Sequence, residues 1–175
     1  GYALAPLLCP AVAVAIPTFM RGKEIYIRPI PAIQAVAEAI GRATEMGKPI
    51  LYVPGISTIQ DVATIAALNI LAPVAQKAAQ YDSKLIVPNY DPIVFTITQE
   101  VVKEAYLKAG RPDAYHDEDV FYLSARQFAY AAAVNGIMMR EKPATNFFLG
   151  MFYAESLLLA ETGNMTGAIQ IAGTD

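Results

Sequence analysis

The chain has 175 residues, of which 55% are hydrophobic and 17% are charged, and its formal net charge is −3. This length suits one domain with a substantial buried core, and the apolar composition excludes intrinsic disorder. The slight acidic excess argues against nucleic acid as a partner, because neutralising phosphates requires clustered Lys and Arg. Because Cys9 and His116 are the single residues of their types, an intramolecular disulfide and any two-histidine metal motif are excluded.

The first predicted element is an apolar segment, residues 3–20, that contains no charged side chain. Its length is at the lower limit for crossing a bilayer. Arg21, Lys23 and Arg28 follow it, and basic residues beside an apolar span are retained on the cytoplasmic side. The sequence therefore predicts a membrane-associated protein in which a lipid bilayer is the partner of residues 3–20. The rest of the chain would lie on the cytoplasmic side.

Three prolines within this segment, Pro6, Pro10 and Pro17, leave other interpretations open, since proline interrupts helical hydrogen bonding. The segment could instead be an apolar arm that packs on the domain or on another subunit, or a processed leader. Residues 24–28 alternate polar and apolar side chains, which is typical of an edge strand or an extended connector.

Five helices are predicted after this point from apolar periodicity and capping residues. They cover residues 32–46, 58–81, 92–109, 125–139 and 153–162. Capping pairs of Ser57 with Gln60 and of Ser124 with Gln127 open two of them, and Asp91 before Pro92 opens another. Pro73 is expected to kink or split its helix, and Gly163 is expected to end the last one.

Short apolar strands alternate with these helices. They are predicted at residues 48–53, 84–87, 120–123, 145–149 and 168–172. Such an alternation is typical of a parallel sheet covered on both faces. The predicted fold class is α/β, an open, mostly parallel, Rossmann-like sheet covered by helices on both faces and preceded by the apolar segment. Residues 24–175 would form a single domain, which is expected to continue beyond residue 175 in a longer chain.

The carboxyl ends of the strands are the place where such a sheet binds ligands. Polar residues there form a candidate site for a small molecule, a nucleotide or an anion, with helix N-termini supplying backbone N–H groups. The candidate ligand-binding residues are Ser57, Thr58, Asn89, Asp91, Arg126 and Thr174. Ser57, Asp91 and Ser124 are equally explained as helix caps.

Common catalytic and cofactor patterns are missing from the chain. There is no glycine-rich dinucleotide motif, phosphate-loop lysine or nucleophile elbow. His116 is expected at the edge of the sheet opposite the candidate serines, and residues 116–119 are expected to form a solvated loop or a weak divalent-cation site. Glu155 and Glu161 are six residues apart and are not expected to form an acid and base pair. No catalytic residue, metal site or cofactor is therefore predicted.

Two regions are more apolar than a small domain needs. The helix at 125–139 is apolar on nearly every side, which predicts burial all round, and residues 147–153 are dense in aromatic side chains. This excess predicts a subunit interface, a membrane-facing patch or a cover from other segments, with a homo-oligomer as the favoured outcome.

Several stretches of the chain resemble one family. The stretches at 27–30, 38–49 and 52–55 resemble an uncharacterised prokaryotic family of membrane-anchored α/β domains, and 159–163 and 167–174 are similar to a later block of that family. The resemblance implies a membrane-tethered domain and carries over no catalytic residue.

Two functions are predicted from these observations. The first is a non-catalytic, membrane-associated protein that self-associates or scaffolds an assembly. The alternative is a ligand-binding domain, which would include an enzyme, with its site at the carboxyl ends of the strands. Whether the protein is an enzyme is left open, with the first function favoured because no acid, base, nucleophile or metal set is found.

Overall fold

A computed structural model of the protein describes residues 31–173. The apolar segment, the edge strand or connector predicted at residues 24–28, and Thr174 lie outside this range. The described chain alternates helices with strands. The elements are α1 (Pro31–Met46), β1 (Ile50–Val53), α2 (Val62–Gln80), β2 (Leu85–Asn89), α3 (Pro92–Lys108), β3 (Val120–Tyr122), α4 (Gln127–Glu141), β4 (Thr145–Leu149), α5 (Glu155–Met165) and β5 (Ile169–Gly173).

The five strands form one sheet in the order β3-β2-β1-β4-β5, and every neighbouring pair is parallel. The predicted α/β class is confirmed. Because the chain builds from β1 towards β3 and then crosses to β4 on the other side, the strand order reverses between β1 and β4. In sheets of this type that reversal marks the place where a ligand crevice usually opens.

Helices cover both faces of the sheet, as predicted. On one face, Tyr52 and Phe147 pack with α1, α2 and α3 through buried residues such as Ile40, Leu71 and Val94. On the other face, β-strand side chains pack against α4 and α5. The residues of this second core include Leu51, Ile86, Val134, Ile137, Phe148 and Leu159. The central strand β1 is apolar and buried throughout, because helices cover it on both faces. β2 and β4 are also buried along their whole length, whereas β5 alternates between half-buried and exposed residues.

The capping residues predicted for two helices are wrong, and α5 begins at Glu155, two residues after its predicted start. α2 begins at Val62, where the Asp61 side chain accepts a hydrogen bond from the Ala63 backbone N–H at 2.8 Å. Ser57 donates to Asp61 at 2.9 Å and does not cap the helix itself. α4 begins at Gln127 without a side-chain cap, and the Ser124 hydroxyl accepts from the backbone N–H of the preceding residue, Arg126. The start of α3, capped by Asp91 before Pro92, is as predicted.

Interior residues of two helices also differ from their predicted roles. α2 continues through Pro73 and is therefore not split there; Leu71 and Val74 on either side are both buried in the core. Gly163 lies inside α5 and does not end it. A Cβ atom at this position would lie 2.3 Å from the side-chain oxygen of Gln170, so a larger residue here would displace the end of that side chain.

The predicted burial of the apolar regions is only partly correct. Phe147 and Phe148 are buried, so most of the aromatic excess belongs to the core. α4 is not buried all round, since Phe128 and Met139 are exposed on its outer side. Among the described residues, α2 is the one helix long and apolar enough to cross a membrane, but half of it is buried in the domain, as expected of a core helix.

Candidate functional site

The crevice expected between β1 and β4 is filled by the loops that follow these strands. The Ile56 N–H donates to the Met151 carbonyl at 2.9 Å, which ties one loop to the other. A Cβ atom on Gly150 would lie 2.2 Å from the Pro54 carbonyl oxygen, and one on Gly55 would lie 2.7 Å from the Met151 carbonyl oxygen. Both glycines have positive φ, at +131° and +91°. The protein's own backbone therefore occupies the position where related sheets admit a ligand.

The N-termini of α2 and α3, two of the predicted anion sites, are already occupied by carboxylates. Asp61 accepts from the Ala63 N–H, and Asp91 accepts from the Ile93 and Val94 N–H groups, both at 2.9 Å. Each carboxylate satisfies backbone donors that an anion would need, and its negative charge would repel that anion. Neither helix start is suited to binding phosphate.

Asn89, at the end of β2, is fully buried, and both polar atoms of its side chain form hydrogen bonds. Its amide nitrogen donates to the Val87 carbonyl at 3.1 Å and to the Phe121 carbonyl at 3.2 Å. Its side-chain oxygen lies 3.0 Å from the Thr98 hydroxyl, which also lies 2.7 Å from the Val94 carbonyl. Asn89 thus joins β2, β3 and α3, and no donor of its side chain is free for a ligand.

The remaining candidate residues do not converge on one site. Ser57 is engaged with Asp61, while Thr58 is exposed and offers its carbonyl to the Asp61 N–H at 3.1 Å. Arg126 is exposed at the start of α4, and Thr174 lies outside the described residues. The described candidate residues therefore lie at the carboxyl edge of the sheet, as expected, but there they act mainly as loop and helix-cap residues.

A buried carboxylate at the same edge was not among the predicted site residues. Glu155 is fully buried, and it accepts hydrogen bonds from the Tyr153 N–H at 2.8 Å and from the Gln127 side-chain amide. Tyr130 is also fully buried and donates to the Pro88 carbonyl at 2.8 Å. Burial, together with the nearby charge of Glu155, raises the pKa of the Tyr130 phenol, which therefore stays neutral. The cluster links the starts of α4 and α5.

The opposite edge of the sheet carries a polar cavity of about 440 Å³, and His116 lines it. Its cations are paired with carboxylates: Arg111 lies 3.2 Å from Asp82, and Lys84 lies 3.7 Å from Asp119. Burial raises the pKa of the Asp119 carboxyl, and the Lys84 charge opposes that shift. His116 is therefore on the edge away from Ser57 and Ser124, and the described residues contain no group of three or more potential metal ligands.

A smaller cavity of about 160 Å³ lies at the carboxyl end of the sheet. The described residues that line it are all apolar or glycine, among them Val62, Ala66 and Ile70 of α2, Leu149 and Gly173 of the sheet, and Gly150 after β4. None of the predicted ligand residues that the structure describes lines it, and its described lining offers no polar side chain to orient an anion or a nucleotide.

Comparison with known proteins gives a family but no activity. No curated protein and no solved structure matches the chain. One family model matches residues 3–175, and its description is "Domain of unknown function (DUF6754)". Because the match covers nearly the whole chain, this α/β protein belongs to the DUF6754 family.

Proposed function

We propose that the protein is a non-catalytic, membrane-associated domain that self-associates or scaffolds an assembly. The observation that carries this proposal is the outer side of α5, where Leu157 is 76% exposed, Leu158 44% and Met165 71%. We call these three residues, with the exposed Tyr153 before the helix, the α5 apolar face. Exposed patches of large apolar side chains are uncommon on monomers and usually mark an interaction surface.

The carboxyl edge of the sheet supports the non-catalytic part of the proposal. The loops at Gly55 and Gly150 fill the crevice. Asp61 and Asp91 accept hydrogen bonds from backbone N–H groups at the starts of α2 and α3. The buried Glu155 is paired with neutral donors and is closed off from solvent, so it has no access to a substrate. These groups hold the domain together at the place where an enzyme of this architecture would keep free polar groups.

Membrane association is proposed from the sequence. Residues 3–20 carry no charge, and Arg21, Lys23 and Arg28 follow them, which favours a cytoplasmic position for the domain. The stretches that resemble a prokaryotic, membrane-anchored family imply the same arrangement. A bilayer would remove the apolar side chains of this segment from water, which is energetically favourable.

Charging the apolar segment is expected to release the protein from lipid. The full chain should float with vesicles of phosphatidylcholine and phosphatidylglycerol in a density gradient. The double variant Leu8→Asp, Val14→Asp should remain at the bottom, because an aspartate near a bilayer centre costs about 2.5–3.5 kcal/mol. A matched double variant, Leu8→Val with Val14→Leu, should float like the unmodified chain. An unmodified chain that stays at the bottom would refute membrane association.

The ligand-binding alternative rests on the start of α4, where Arg126 is exposed and no side chain caps the helix. Inorganic phosphate bound there would raise the melting temperature of the protein, and Arg126→Ala would abolish that rise. This result would favour the alternative over the non-catalytic proposal.

A further inference from the structure

Three helices of the domain begin with an exposed apolar side chain at the carboxyl edge of the sheet. Val62 is the first residue of α2, Ile93 the second of α3 and Phe128 the second of α4, and all three side chains are exposed. The first turn of a helix usually carries acidic residues, because they interact favourably with the helix dipole. None of these three helices has an acidic residue in its first turn. This edge therefore presents apolar groups where water-facing helices usually present charge.

The same edge carries little exposed charge. The loops that follow β1, β2, β3 and β4 contain three charged residues, Asp61, Asp91 and Arg126. Asp61 and Asp91 accept hydrogen bonds from backbone N–H groups of α2 and α3. Glu155, at the start of α5, is buried. Arg126 is therefore the one charged side chain of these loops that is exposed and does not cap a helix.

The opposite edge, where the strands begin, is strongly charged, and we call it the amino edge. The connections that precede β1, β2, β3 and β4 contain nine charged residues: Lys48, Asp82, Lys84, Arg111, Asp113, Asp117, Glu118, Asp119 and Lys142. Among the exposed apolar side chains at this edge, Tyr81, Leu107 and Met139 are each followed directly by a charged residue. Burying the amino edge against lipid would remove many charges from water, which costs free energy.

Helix α1 connects the domain to the preceding chain from the side of the carboxyl edge. It ends at the amino edge, where the Thr44 hydroxyl lies 2.7 Å from the hydroxyl of Ser83 before β2, so its first residue, Pro31, lies toward the carboxyl edge. Residues 21–30 separate Pro31 from the apolar segment, and a connection of this length spans at most about 35 Å. It would keep the domain near a bilayer that holds the segment but would allow either edge to face that bilayer. The distribution of charge decides between the two edges.

We infer that the carboxyl edge of the sheet contacts the bilayer surface, with Val62, Ile93 and Phe128 at the level of the lipid headgroups. The inference rests on the proposed membrane association and names the part of the domain that touches lipid. Apolar and aromatic side chains beside a basic residue are typical of surfaces that bind at the membrane interface. Arg126, two residues before Phe128, supplies a positive charge that attracts anionic lipid headgroups. The amino edge and its polar cavity then face away from the membrane.

Fluorescence quenching tests which edge touches lipid. Ile93→Cys and Phe128→Cys at the carboxyl edge, and Leu107→Cys as the matched control at the amino edge, are made in the full chain with Cys9→Ser and labelled with a fluorophore. All three native side chains are exposed, so the label should leave the core intact. The chains are reconstituted into vesicles of phosphatidylcholine and phosphatidylglycerol. A nitroxide on the lipid acyl chains should quench the probes at positions 93 and 128, whereas iodide present on both sides of the membrane should quench the probe at position 107.

Flotation of each labelled chain with its vesicles separates this inference from the proposed function. If the chains do not float, membrane association and the orientation are both wrong. If they float but lipid quenches position 107 at least as strongly as positions 93 and 128, or iodide alone quenches all three, the orientation is wrong while membrane association stands. If neither quencher reaches positions 93 and 128, another part of the protein covers the carboxyl edge, and the inferred contact with lipid is wrong.

Discussion

Replacing Gly150 by alanine is expected to lower the free energy of unfolding by about 3–5 kcal/mol, the sum of backbone strain and a steric clash. The strain arises because φ is +131° at this position, which is unfavourable for residues with a side chain. The clash arises because the new methyl group would lie 2.2 Å from the Pro54 carbonyl oxygen. Relief of the clash would separate the two loops that close the crevice between β1 and β4.

Gly47→Ala is the matched control for this effect. Gly47 also has a positive φ, +63°, but no atom lies within 4 Å of its added Cβ. Gly47→Ala should lower the free energy of unfolding by about 1–2 kcal/mol, from backbone strain alone. Urea denaturation of the full chain in mild detergent would measure both variants. Equal losses for Gly150→Ala and Gly47→Ala would show that the loops are not in contact and that the crevice is open.

Replacing Asn89 by aspartate is expected to lower the free energy of unfolding by at least about 3 kcal/mol, because it creates an uncompensated buried charge. The substitution exchanges a donor that serves the Val87 and Phe121 carbonyls for a negatively charged oxygen. Val87 and Phe121 would then each present a carbonyl to a carboxylate. A side chain that merely faced an open ligand site would tolerate this isosteric change.

The reverse exchange nearby, Asp91→Asn, serves as the control. Asp91 accepts hydrogen bonds from two backbone N–H groups at the start of α3, and asparagine caps a helix about as well as aspartate. Asp91→Asn should change the free energy of unfolding by no more than about 0.5 kcal/mol. If Asn89→Asp were as mild as Asp91→Asn in the same denaturation experiment, the structural role assigned to Asn89 would be wrong.

The order of helices and strands was predictable because their signals are local. Pro54 follows β1 and Gly150 follows β4, short apolar runs mark the strands, and Asp91 with Pro92 opens α3. Pro88, predicted to end the second strand, instead lies inside β2. The start of α2 was not predictable from local pattern. Both Ser57 and Asp61 are capping types, and the choice between them depends on the loop after β1, where Ile56 is tied to Met151 from a distant part of the chain.

The roles of the polar residues at the carboxyl edge depend on distant contacts as well. Asn89 was correctly expected at this edge, but its burial results from Phe121 and Thr98, which the fold brings to it. The six-residue spacing between Glu155 and Glu161 predicts no pairing of these two carboxylates. The actual partner of Glu155 is Gln127 at the start of α4, a pairing across 28 residues that no helical spacing reveals.

The mass of the full chain in solution is the most direct test of the proposed self-association. Sedimentation equilibrium in a density-matched detergent, over a range of protein-to-detergent ratios, measures the protein mass alone. We expect about twice the 18.8 kDa of one chain, or a higher multiple, at ratios where micelles outnumber protein. A mass of 18.8 kDa at every ratio would contradict the account, because the α5 apolar face would then have no second copy to contact.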